Sequence, residues 1–451
     1  MKRSAVLLLT GLAWALSACG GGLGDTMGDW TDSIFGRTDK PPLPGKRVDV
    51  LSAGKEVEPD PALRNQQVKL PRPAPNKEWP DSGGFPDHAM QHLALPGRLQ
   101  RVWSVDIGEG ASRYTRITSQ PVVAGGRIYG LDGEDVVFAL DAATGNRVWR
   151  AQTRPNDDTD DAFGGGVAFF NNRIFATTGY GIVYAFDAKT GKRIWKHATE
   201  VPFHGAPTVI DSRVLAVNVN NQLIALDAND GHQLWIHTGL PESADILGTP
   251  APAVQGDTVV VAYSSGELYA LRLENGHAEW TDNLATSQPM GALSSLADIH
   301  GRPVIDRGRV FAVSHSGRMV AIDLRTGDRV WEQDIGGTQG PWVAGDYVYV
   351  LSNDVTLLCM TWKDGRVRWS TPLPKFENPE KKRDPIKWAG PILAGDRLIV
   401  ISSTGTAFSV SPYTGKPIGT TDFPDGVFVD PVVANNTLYV LTDNARLIAL
   451  Q

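Results

Sequence analysis

The 451-residue sequence has only two cysteines, Cys19 and Cys359, which is too few for a fold stapled by several disulfides. Its apolar N-terminal stretch, Ala5 to Leu16, has 12 residues and is too short to span a bilayer. A net charge of −7 argues against a nucleic-acid partner, because such proteins carry a basic surface. The sequence also has no nucleophile elbow and no His–Glu metal helix, so it offers no catalytic motif of those kinds.

The sequence does contain a repeated unit, Ala-x-Asp-x-x-Thr-Gly-x-x-x-Trp. Five copies are complete or nearly so, a sixth keeps Gly365 and Trp369, and a seventh has Gly419 where the Trp should be. The turn glycines of the seven copies are Gly145, Gly191, Gly231, Gly276, Gly327, Gly365 and Gly415. They lie 38 to 51 residues apart, and a repeat of that length made of short strands predicts a β-propeller.

Each repeat is interpreted as a blade of four short antiparallel strands. In the first complete unit the strands are predicted at residues 121–124, 127–131, 136–140 and 147–150, separated by Gly, Asp and Asn turns. In the last turn, Asp141 accepts hydrogen bonds from the N–H groups two and three residues on, and Gly145 takes the positive-φ position. We expect the Trp that follows to dock between neighbouring blades.

The inner-strand turns number eight, whereas the Gly/Trp turns number only seven. The two ends of the chain explain the difference, because residues 447–451 resemble a third strand and residues 101–104 an orphan fourth strand. We therefore predict an all-β fold, an eight-bladed β-propeller of four-stranded antiparallel blades over residues 98–451. Its N-terminal strand completes the last blade, which leaves the ring without an open seam.

The N-terminus is interpreted as a lipoprotein signal peptide covering residues 1–18. Lys2 and Arg3 precede the apolar stretch, which ends in Leu-Ser-Ala-Cys and matches the bacterial lipobox. We expect Cys19 to be acylated after cleavage and to anchor the protein. Gly20 follows it instead of the Asp typical of inner-membrane retention, which favours the outer membrane.

Residues 19–97 are rich in Gly, Pro and charge, so we expect an extended or disordered tether with a candidate strap at 79–95. Within it, His88 and His92 have helical metal-ligand spacing but lack a neighbouring Glu or a third ligand, which favours a surface helical turn. The acidic residues 156–161 lack the Gly and Glu of a calcium loop. Cys359 occupies the Ala position of its repeat and should be a buried small residue. No metal site is predicted.

The repeat resembles that of the pyrroloquinoline-quinone-type propellers over roughly residues 98–451. Quinoprotein alcohol dehydrogenases, one branch, carry the cofactor under a disulfide between adjacent cysteines, with a bound calcium ion. This chain has no adjacent cysteines and is shorter than those enzymes. The other branch is the BamB family, lipoproteins of the machine that assembles β-barrels in the outer membrane. The lipobox, the eight blades, the length and the lack of cofactor residues make the sequence similar to this branch.

The resemblance also implies a partner surface on connecting loops. In the BamB family a Leu-Arg-Gly-Glu-Ser stretch and an Asp-x-Asp-x-x-Pro stretch contact the barrel-assembly protein. Here residues 240–243 and 298–303 are similar to them, although the Arg of the first and the second Asp of the other are absent. The predicted partner-binding residues are Leu240, Glu242, Ile246, Leu247, Leu296 and Asp298. Ordinary connecting loops are the alternative interpretation.

These inferences lead to a functional expectation with two alternatives. The resemblance implies a non-catalytic, cofactor-free outer-membrane lipoprotein scaffold that faces the periplasm and binds the periplasmic domains of the barrel-assembly protein. Unfolded outer-membrane proteins are a further candidate partner. The alternatives are a periplasmic pyrroloquinoline-quinone-dependent dehydrogenase and a propeller that binds a cell-envelope glycan.

Overall fold

A computed structural model describes residues 57–113, 115–155, 162–242, 248–285 and 298–451. In these segments the regular structure is almost entirely β, with one short 3-10 helix at Pro61–Leu63. No helix among them is long and apolar enough to cross a membrane.

Eight four-stranded antiparallel sheets form the ring, which confirms the predicted propeller. Each blade is listed from its innermost to its outermost strand. Blades 1 to 4 are β2 (Val122–Ala124), β3 (Arg127–Leu131), β4 (Val137–Asp141), β5 (Arg147–Ala151); β6 (Gly165–Phe170), β7 (Arg173–Thr178), β8 (Ile182–Asp187), β9 (Arg193–Ala198); β10 (Thr208–Ile210), β11 (Arg213–Val217), β12 (Gln222–Asp227), β13 (Gln233–Thr238); and β14 (Ala253–Gln255), β15 (Thr258–Ala262), β16 (Glu267–Arg272), β17 (Ala278–Asn283).

The second half of the ring continues in the same way. Blades 5 to 8 are β18 (Val304–Asp306), β19 (Arg309–Val313), β20 (Met319–Asp323), β21 (Arg329–Gln333); β22 (Trp342–Ala344), β23 (Tyr347–Leu351), β24 (Thr356–Thr361), β25 (Val367–Pro372); β28 (Trp388–Ala394), β29 (Arg397–Ser402), β30 (Thr406–Val410), β31 (Pro417–Asp422); and β32 (Val432–Ala434), β33 (Thr437–Leu441), β34 (Arg446–Leu450), β1 (Arg101–Asp106). A separate hairpin of β26 (Phe376–Asn378) and β27 (Arg383–Pro385) is inserted between blades 6 and 7.

The ring is closed by strands from opposite ends of the chain. β1 pairs antiparallel with β34, with Trp103 opposite Ala449 and Asp106 opposite Arg446. The N-terminal strand therefore supplies the outermost strand of the last blade, as predicted. Because this pairing gives blade 8 its fourth strand, the ring closes without an incomplete blade at the seam.

The repeated turn has the geometry expected from its sequence. In blade 1, Asp141 Oδ1 accepts the N–H groups of Ala143 and Thr144 at 3.1 and 2.9 Å and the Thr144 hydroxyl at 2.8 Å. Gly145 has a φ of +74°. A Cβ at Gly145 would lie 2.8 Å from the ring of Trp103, so this position needs glycine for its close approach as well as for its φ.

Each docking Trp lies over the turn of the next blade, and its indole N–H donates to the second carbonyl of that turn. The seven donor–acceptor pairs are Trp103–Ala142, Trp149–Ala188, Trp195–Ala228, Trp235–Leu273, Trp280–Leu324, Trp331–Trp362 and Trp369–Pro412, at 2.7 to 3.2 Å. The first of these pairs joins blade 8 to blade 1, and the others follow the ring to blade 7. A conserved geometry thus links seven of the eight blade junctions.

The missing Trp at Gly419 follows from how the ring closes. The last two strands of blade 8 come from the two ends of the chain, so no turn connects them. A Trp from blade 7 would therefore have nothing to cover at this junction. Consistent with this, all six residues of β31 are exposed, and a Cβ at Gly419 would meet no described atom within 4 Å.

The core lies between the blades and is made by the middle strands. In blade 6, all five residues of β23 are buried, and Cys359 of β24 pairs with Tyr349 on one side and Trp369 on the other. Cys359 is fully buried, which confirms its predicted place among the small residues of the repeat. Burial also raises the pKa of its thiol, which keeps it protonated and unreactive.

The antiparallel order of the strands defines two faces of the ring. The turns after the first and third strands of a blade emerge on one face, which we call the turn face. The turns after the second strand and the connections between blades emerge on the other, which we call the connection face. The predicted partner loops both connect blades, and their described residues, 240–242 and 298–302, therefore belong to the connection face.

The segment before the ring is more ordered than predicted from residue 57 on. Asp60 donates its N–H to Val367 of β25 at 2.8 Å, and Arg368 of the same strand donates to the Gln66 carbonyl at 2.8 Å. Residues 76–95, which we call the strap, then pass through the centre of the ring, with Trp79 1% exposed. Residues 57–78 have little regular secondary structure, in keeping with an extended segment, but they are not a free tether, because they hydrogen-bond to and pack against the blades.

The closing strand generates a stability prediction. Trp103→Ala should lower the free energy of unfolding by about 3 kcal/mol, because it removes the docking Trp that links blade 8 to blade 1 and leaves a cavity over Gly145. Val102→Ala is the matched control, since Val102 lies on the same strand with its side chain 52% exposed. Chemical denaturation followed by fluorescence measures both; equal losses would show that Trp103 does not stabilise the junction.

Candidate partner-binding surface

Exposed apolar side chains are concentrated on blade 3. Nine large apolar residues are exposed in the described part of the chain. Six of them directly precede the docking Trp of their blade, or Gly419 in its place in blade 7: Val102, Val148, Ile194, Leu234, Val330 and Ile418. Blade 3 adds Ile236 and Leu240, exposed by 45% and 58%. We call Leu234, Ile236 and Leu240 the blade 3 surface; no other blade presents three such residues in the described chain.

The backbone at Leu240 is held from both sides, although its side chain points into solvent. Its N–H donates to Glu267 Oε2 at 2.7 Å, and its carbonyl accepts the side-chain amide of Asn221 at 2.7 Å. Gly239 donates its N–H to the Asn221 carbonyl at 2.9 Å. Asn221 belongs to the second turn of blade 3 and Glu267 begins β16 of blade 4. Two neighbouring blades therefore fix the position of one exposed leucine.

Glu267 is the centre of this arrangement. Besides the Leu240 N–H, its carboxylate accepts the Ser265 hydroxyl at 2.9 Å and the Tyr269 hydroxyl at 2.9 Å. The residue is 7% exposed. A buried carboxylate is stable only when its oxygens are hydrogen-bonded, and three donors meet that condition here.

An aromatic cluster packs beneath the same loop. His237 Nδ1 lies 2.8 Å from the Tyr263 hydroxyl, and its ring stacks on Tyr263 and meets Tyr269 edge-on. A Cβ at Gly239 would lie 2.5 Å from the Tyr263 ring, so the loop crosses the cluster in close contact. Burial lowers the pKa of His237, although the Glu267 charge opposes this shift, so the neutral ring is favoured near pH 7.

The structure describes three of the six predicted partner-binding residues. Leu240 is exposed, and Glu242 is exposed two residues after it. Ile246, Leu247 and Leu296 lie outside the described residues. Asp298 differs from the prediction: it is 2% exposed, and its backbone carbonyl accepts the His315 N–H at 2.8 Å. The prediction that Asp298 offers its charge to a partner is corrected, because the loop folds that residue under the surface.

The described parts of the two connections that flank blade 4 approach each other. A Cβ at Gly248, which follows the first predicted loop, would lie 2.8 Å from His300 Nε2 in the second. The second loop also contacts the aromatic cluster, because Ile299 donates its N–H to the Tyr263 carbonyl at 3.4 Å. The connections on both sides of blade 4 are thus neighbours on the connection face.

Sequence reasoning missed Leu234, Ile236 and the two residues that hold Leu240. Leu234 and Ile236 carry a readable signal, since β13 has apolar residues on both sides of its Trp at positions that alternate onto the solvent face. Asn221 and Glu267 carry none, because each is an ordinary polar residue near a turn. Their role arises only when blades 3 and 4 are side by side.

The two candidate metal ligands of the leader are buried structural residues. His88 and His92 lie in the strap, without a helix between them, and are 5% and 1% exposed. His88 Nδ1 lies 2.7 Å from the Pro303 carbonyl and His92 Nδ1 2.8 Å from the Pro71 carbonyl. The predicted surface helical turn is therefore wrong. In the described segments no group of three or more His, Cys, Asp or Glu side chains is placed to hold a metal ion, and residues 156–161 lie outside them.

The wider resemblance implies a quinone site in the central channel of the ring. The strap occupies it: Trp79 stacks on Trp342 of β22 with ring centroids 6.5 Å apart, and Asp81 to Gly84 are buried. The chain also lacks the adjacent cysteines that cover the cofactor in the dehydrogenases. The residues present therefore do not fit that cofactor.

Comparisons with known sequences point to one family. Residues 133–371 match the family model described as outer membrane protein assembly factor BamB. The chain is 25% identical over 348 residues to the protein of that name from Yersinia pestis, covering 75% of this chain and 86% of the relative. For Moranella endobia the values are 23% over 368 residues, 78% and 90%. Against the proteins of that name from Legionella pneumophila and Alkalilimnicola ehrlichii, the chain spans about half of their length, 49% and 51%.

Comparison with solved structures shows the fold. The crystal structure of BamB from Moraxella catarrhalis superposes with a TM-score of 0.66 at 18% identity, covering 78% of this chain and all of that one. A europium-containing methanol dehydrogenase gives a TM-score of 0.65 at 16% identity, with coverage of 81% and 89%. Since the enzyme and the assembly factor fit equally well, the ring alone does not distinguish their functions.

The carboxylate of Glu267 generates a local prediction. Glu267→Ala should raise the amide exchange rate of Leu240 by about tenfold or more, because the N–H loses its acceptor and the loop its support on blade 4. Exchange in β13 should not change. Glu279→Ala in the same blade is the control, since that exposed carboxylate pairs only with Arg272 at 3.2 Å and the Thr258 hydroxyl. Unchanged exchange at Leu240 would show that another contact holds the loop.

Proposed function

This chain belongs to the family of the outer membrane protein assembly factor BamB, and we propose that it is a non-catalytic scaffold of the β-barrel assembly machine. Its relatives are named as outer membrane protein assembly factors, and we propose the same role and an outer-membrane location for this chain. The proposed partner is the barrel-assembly protein, contacted through its periplasmic domains. In this role the propeller supplies a rigid surface and no reaction.

The observation that carries the proposal is the blade 3 surface with its clamped leucine. Leu240 is the most exposed large apolar residue in the described chain, yet its backbone N–H and carbonyl are both bound. An apolar side chain on a pre-ordered backbone loses little conformational freedom when a partner buries it. This is the behaviour of an interface anchor, which contributes most when it is buried in a pocket of the partner.

The neighbouring groups add the other parts of an interface. Leu234 and Ile236 extend the apolar area along β13, and Glu242 places a carboxylate at its edge. Charges at the rim of an interface act mainly on the encounter rate and on orientation. Asp298 is not included, because it is buried.

We also propose that Cys19 carries the lipid anchor. The support is the lipobox at residues 16–19, which follows a basic start and an apolar stretch. Acylation would hold the propeller at the periplasmic side of the outer membrane, where it can meet the periplasmic domains of the proposed partner.

The partner surface leads to a binding prediction. Leu240→Asp should weaken binding to the purified periplasmic domains of the barrel-assembly protein about 30-fold, because it buries an unpaired charge where an apolar anchor was. Val330→Asp is the matched control: Val330 is an exposed apolar residue on the outer strand of blade 5 and is 41% exposed. Isothermal titration calorimetry measures both affinities. Equal affinities for the two variants would place the contact elsewhere on the ring.

The anchor leads to a localisation prediction. Cys19→Ala should shift the protein from the outer-membrane fraction to the soluble periplasm or leave it uncleaved, because no acyl chain can be attached. Fractionation with immunoblotting measures the change. Ser17→Ala is a suitable control, since it keeps a small residue in the lipobox and the cysteine intact. A Cys19→Ala protein that remained in the outer membrane would show that another feature anchors the chain.

A further inference from the structure

The inner wall of the ring presents a set of equivalent backbone groups to the channel. In every blade the innermost strand has one edge without a neighbouring strand, and that edge faces the centre. In blades 1 to 5, the residue two positions before the first turn directs its N–H inward: Val123, Phe169, Val209, Val254 and Ile305. These five groups are related by the symmetry of the ring. Buried N–H groups need acceptors, so the channel requires a ligand rich in carbonyl or carboxylate oxygens.

The strap supplies these acceptors in the order of the blades. The five N–H groups bond, in turn, to Trp79 O, Pro80 O, Asp81 Oδ1, Pro86 O and Asp87 O, at 2.7 to 3.3 Å. In blade 1 the bond is reciprocal, because Trp79 also donates its N–H to the Val123 carbonyl at 2.7 Å. Each acceptor thus meets the blade that comes next around the ring.

Blades 6 to 8 bind the two ends of the strap nearer the turn face. The N–H groups of the first turn residue in these blades, Gly345, Gly395 and Asn435, bond to Gln91 Oε1, Leu93 O and Asn76 O at 3.0, 2.9 and 2.7 Å. The strap therefore makes one full circuit of the channel, from blade 8 at Asn76 to blade 7 at Leu93. It runs from the turn face toward the connection face along blades 1 to 3, and back toward the turn face along blades 4 and 5.

The tip of the strap is packed against the opposite end of the channel. Asp81 and Gly84 close a tight turn with two backbone hydrogen bonds of 2.9 Å, and Gly83 donates its N–H to Gln120 Oε1 at 2.8 Å. Gly84 has a φ of +107°, and a Cβ there would lie 2.0 Å from Met90 Sδ, so a larger residue would be strained and would displace the Met90 side chain.

A salt bridge lies below this tip. Arg302, before blade 5, pairs with Asp430, before blade 8, at 2.6 Å. The guanidinium also reaches the Ser82 hydroxyl at 3.4 Å. Two distant blades are therefore joined to each other and to the tip of the strap.

We propose that the central channel is a binding site for an extended, acceptor-rich peptide, and that its ligand is this chain's own strap, bound in cis. The strap uses backbone carbonyls for most of its contacts, which is how an extended peptide adds to a free sheet edge. Every blade contributes at least one hydrogen bond, so the strap is bound by the whole ring. The proposal is independent of the blade 3 surface and of the family role.

Two consequences follow for the rest of the molecule. A channel filled by its own chain has no space for an outside ligand, so a partner must use the rim or the faces. The strap also ties the segment that precedes it to the ring by non-covalent bonds around a full circle, in addition to the covalent continuation into β1.

The proposal is tested by cutting the chain between the strap and β1. A protease recognition sequence is inserted between Gly97 and Arg98, which are both exposed, and the folded full-length protein is cleaved there. If the channel is a binding site, the N-terminal fragment stays with the ring through gel filtration in native buffer. A labelled synthetic peptide of residues 76–95 then exchanges into the nicked protein and displaces the strap, whereas a scrambled peptide does not.

Variants of one acceptor separate binding from simple trapping. Asp81→Ala removes the acceptor of the Val209 N–H and should speed release of the fragment about tenfold, the change expected for one lost hydrogen bond to a buried group. Asp81→Asn keeps an acceptor oxygen, and because burial raises the pKa of Asp81, its neutral amide suits the site. Its release should match the unsubstituted protein. Glu78→Ala is a second control, since that carboxylate meets only the N–H of exposed Gly125 at 3.2 Å.

Two results would overturn the proposal. One is release of the N-terminal fragment from the nicked protein in native buffer, whether or not the ring remains folded, while the uncut insertion variant stays intact. The other is equal release rates for Asp81→Ala and Asp81→Asn, which would show that the channel holds the strap without recognising its acceptors.

Discussion

The propeller depends on one repeated contact, a tryptophan of one blade covering the turn glycine of the next. The contact combines a hydrogen bond from the indole N–H with a close approach that only glycine allows, as at Gly191, where a Cβ would lie 2.6 Å from the Trp149 ring. A single blade cannot bury its own tryptophan, so the contact forms only between neighbours. It therefore sets both the spacing of the blades and the need for a closed ring.

The same contact explains where the ring is different. Blade 8 is built from the two chain ends and has no turn between its last strands, so blade 7 has Gly419 in place of a tryptophan. The two ends of the strap lie on either side of this junction on the inside, since Leu93 donates its N–H to the Leu393 carbonyl of blade 7 and Asn76 accepts the N–H of Asn435 of blade 8. The strap thus binds both blades where the docking tryptophan is absent, while the β1–β34 pair completes blade 8 itself.

Because the ring is closed and its channel is filled, a partner can reach only its surface. The strap fills the channel, and Cys359 and Asp298 are buried. The residues that remain accessible therefore lie on the rim, where blade 3 differs from the other blades in the described chain. At Leu240, as at the docking tryptophans, polar groups of neighbouring blades fix the position of one apolar residue. The difference is that the leucine is left exposed, which suits the scaffold role that we propose.

The sequence by itself determined the fold, the number of blades and the closing strand, because each depends on patterns that are readable along the chain. Asp-x-x-Thr-Gly forms its turn from its own five residues and marks seven blades, and the eight inner-strand turns together with the two chain ends give the eighth. Leu240 was also singled out from the sequence, and its exposure agrees with a surface position, while its partner role stays a prediction. Only the tertiary structure decided that Asp298 is buried, that Glu267 and Asn221 hold Leu240, and that residues 76–95 fill the channel. These are contacts between residues far apart in the chain, such as Trp79 with Trp342, and no local pattern encodes which groups the closed ring brings together.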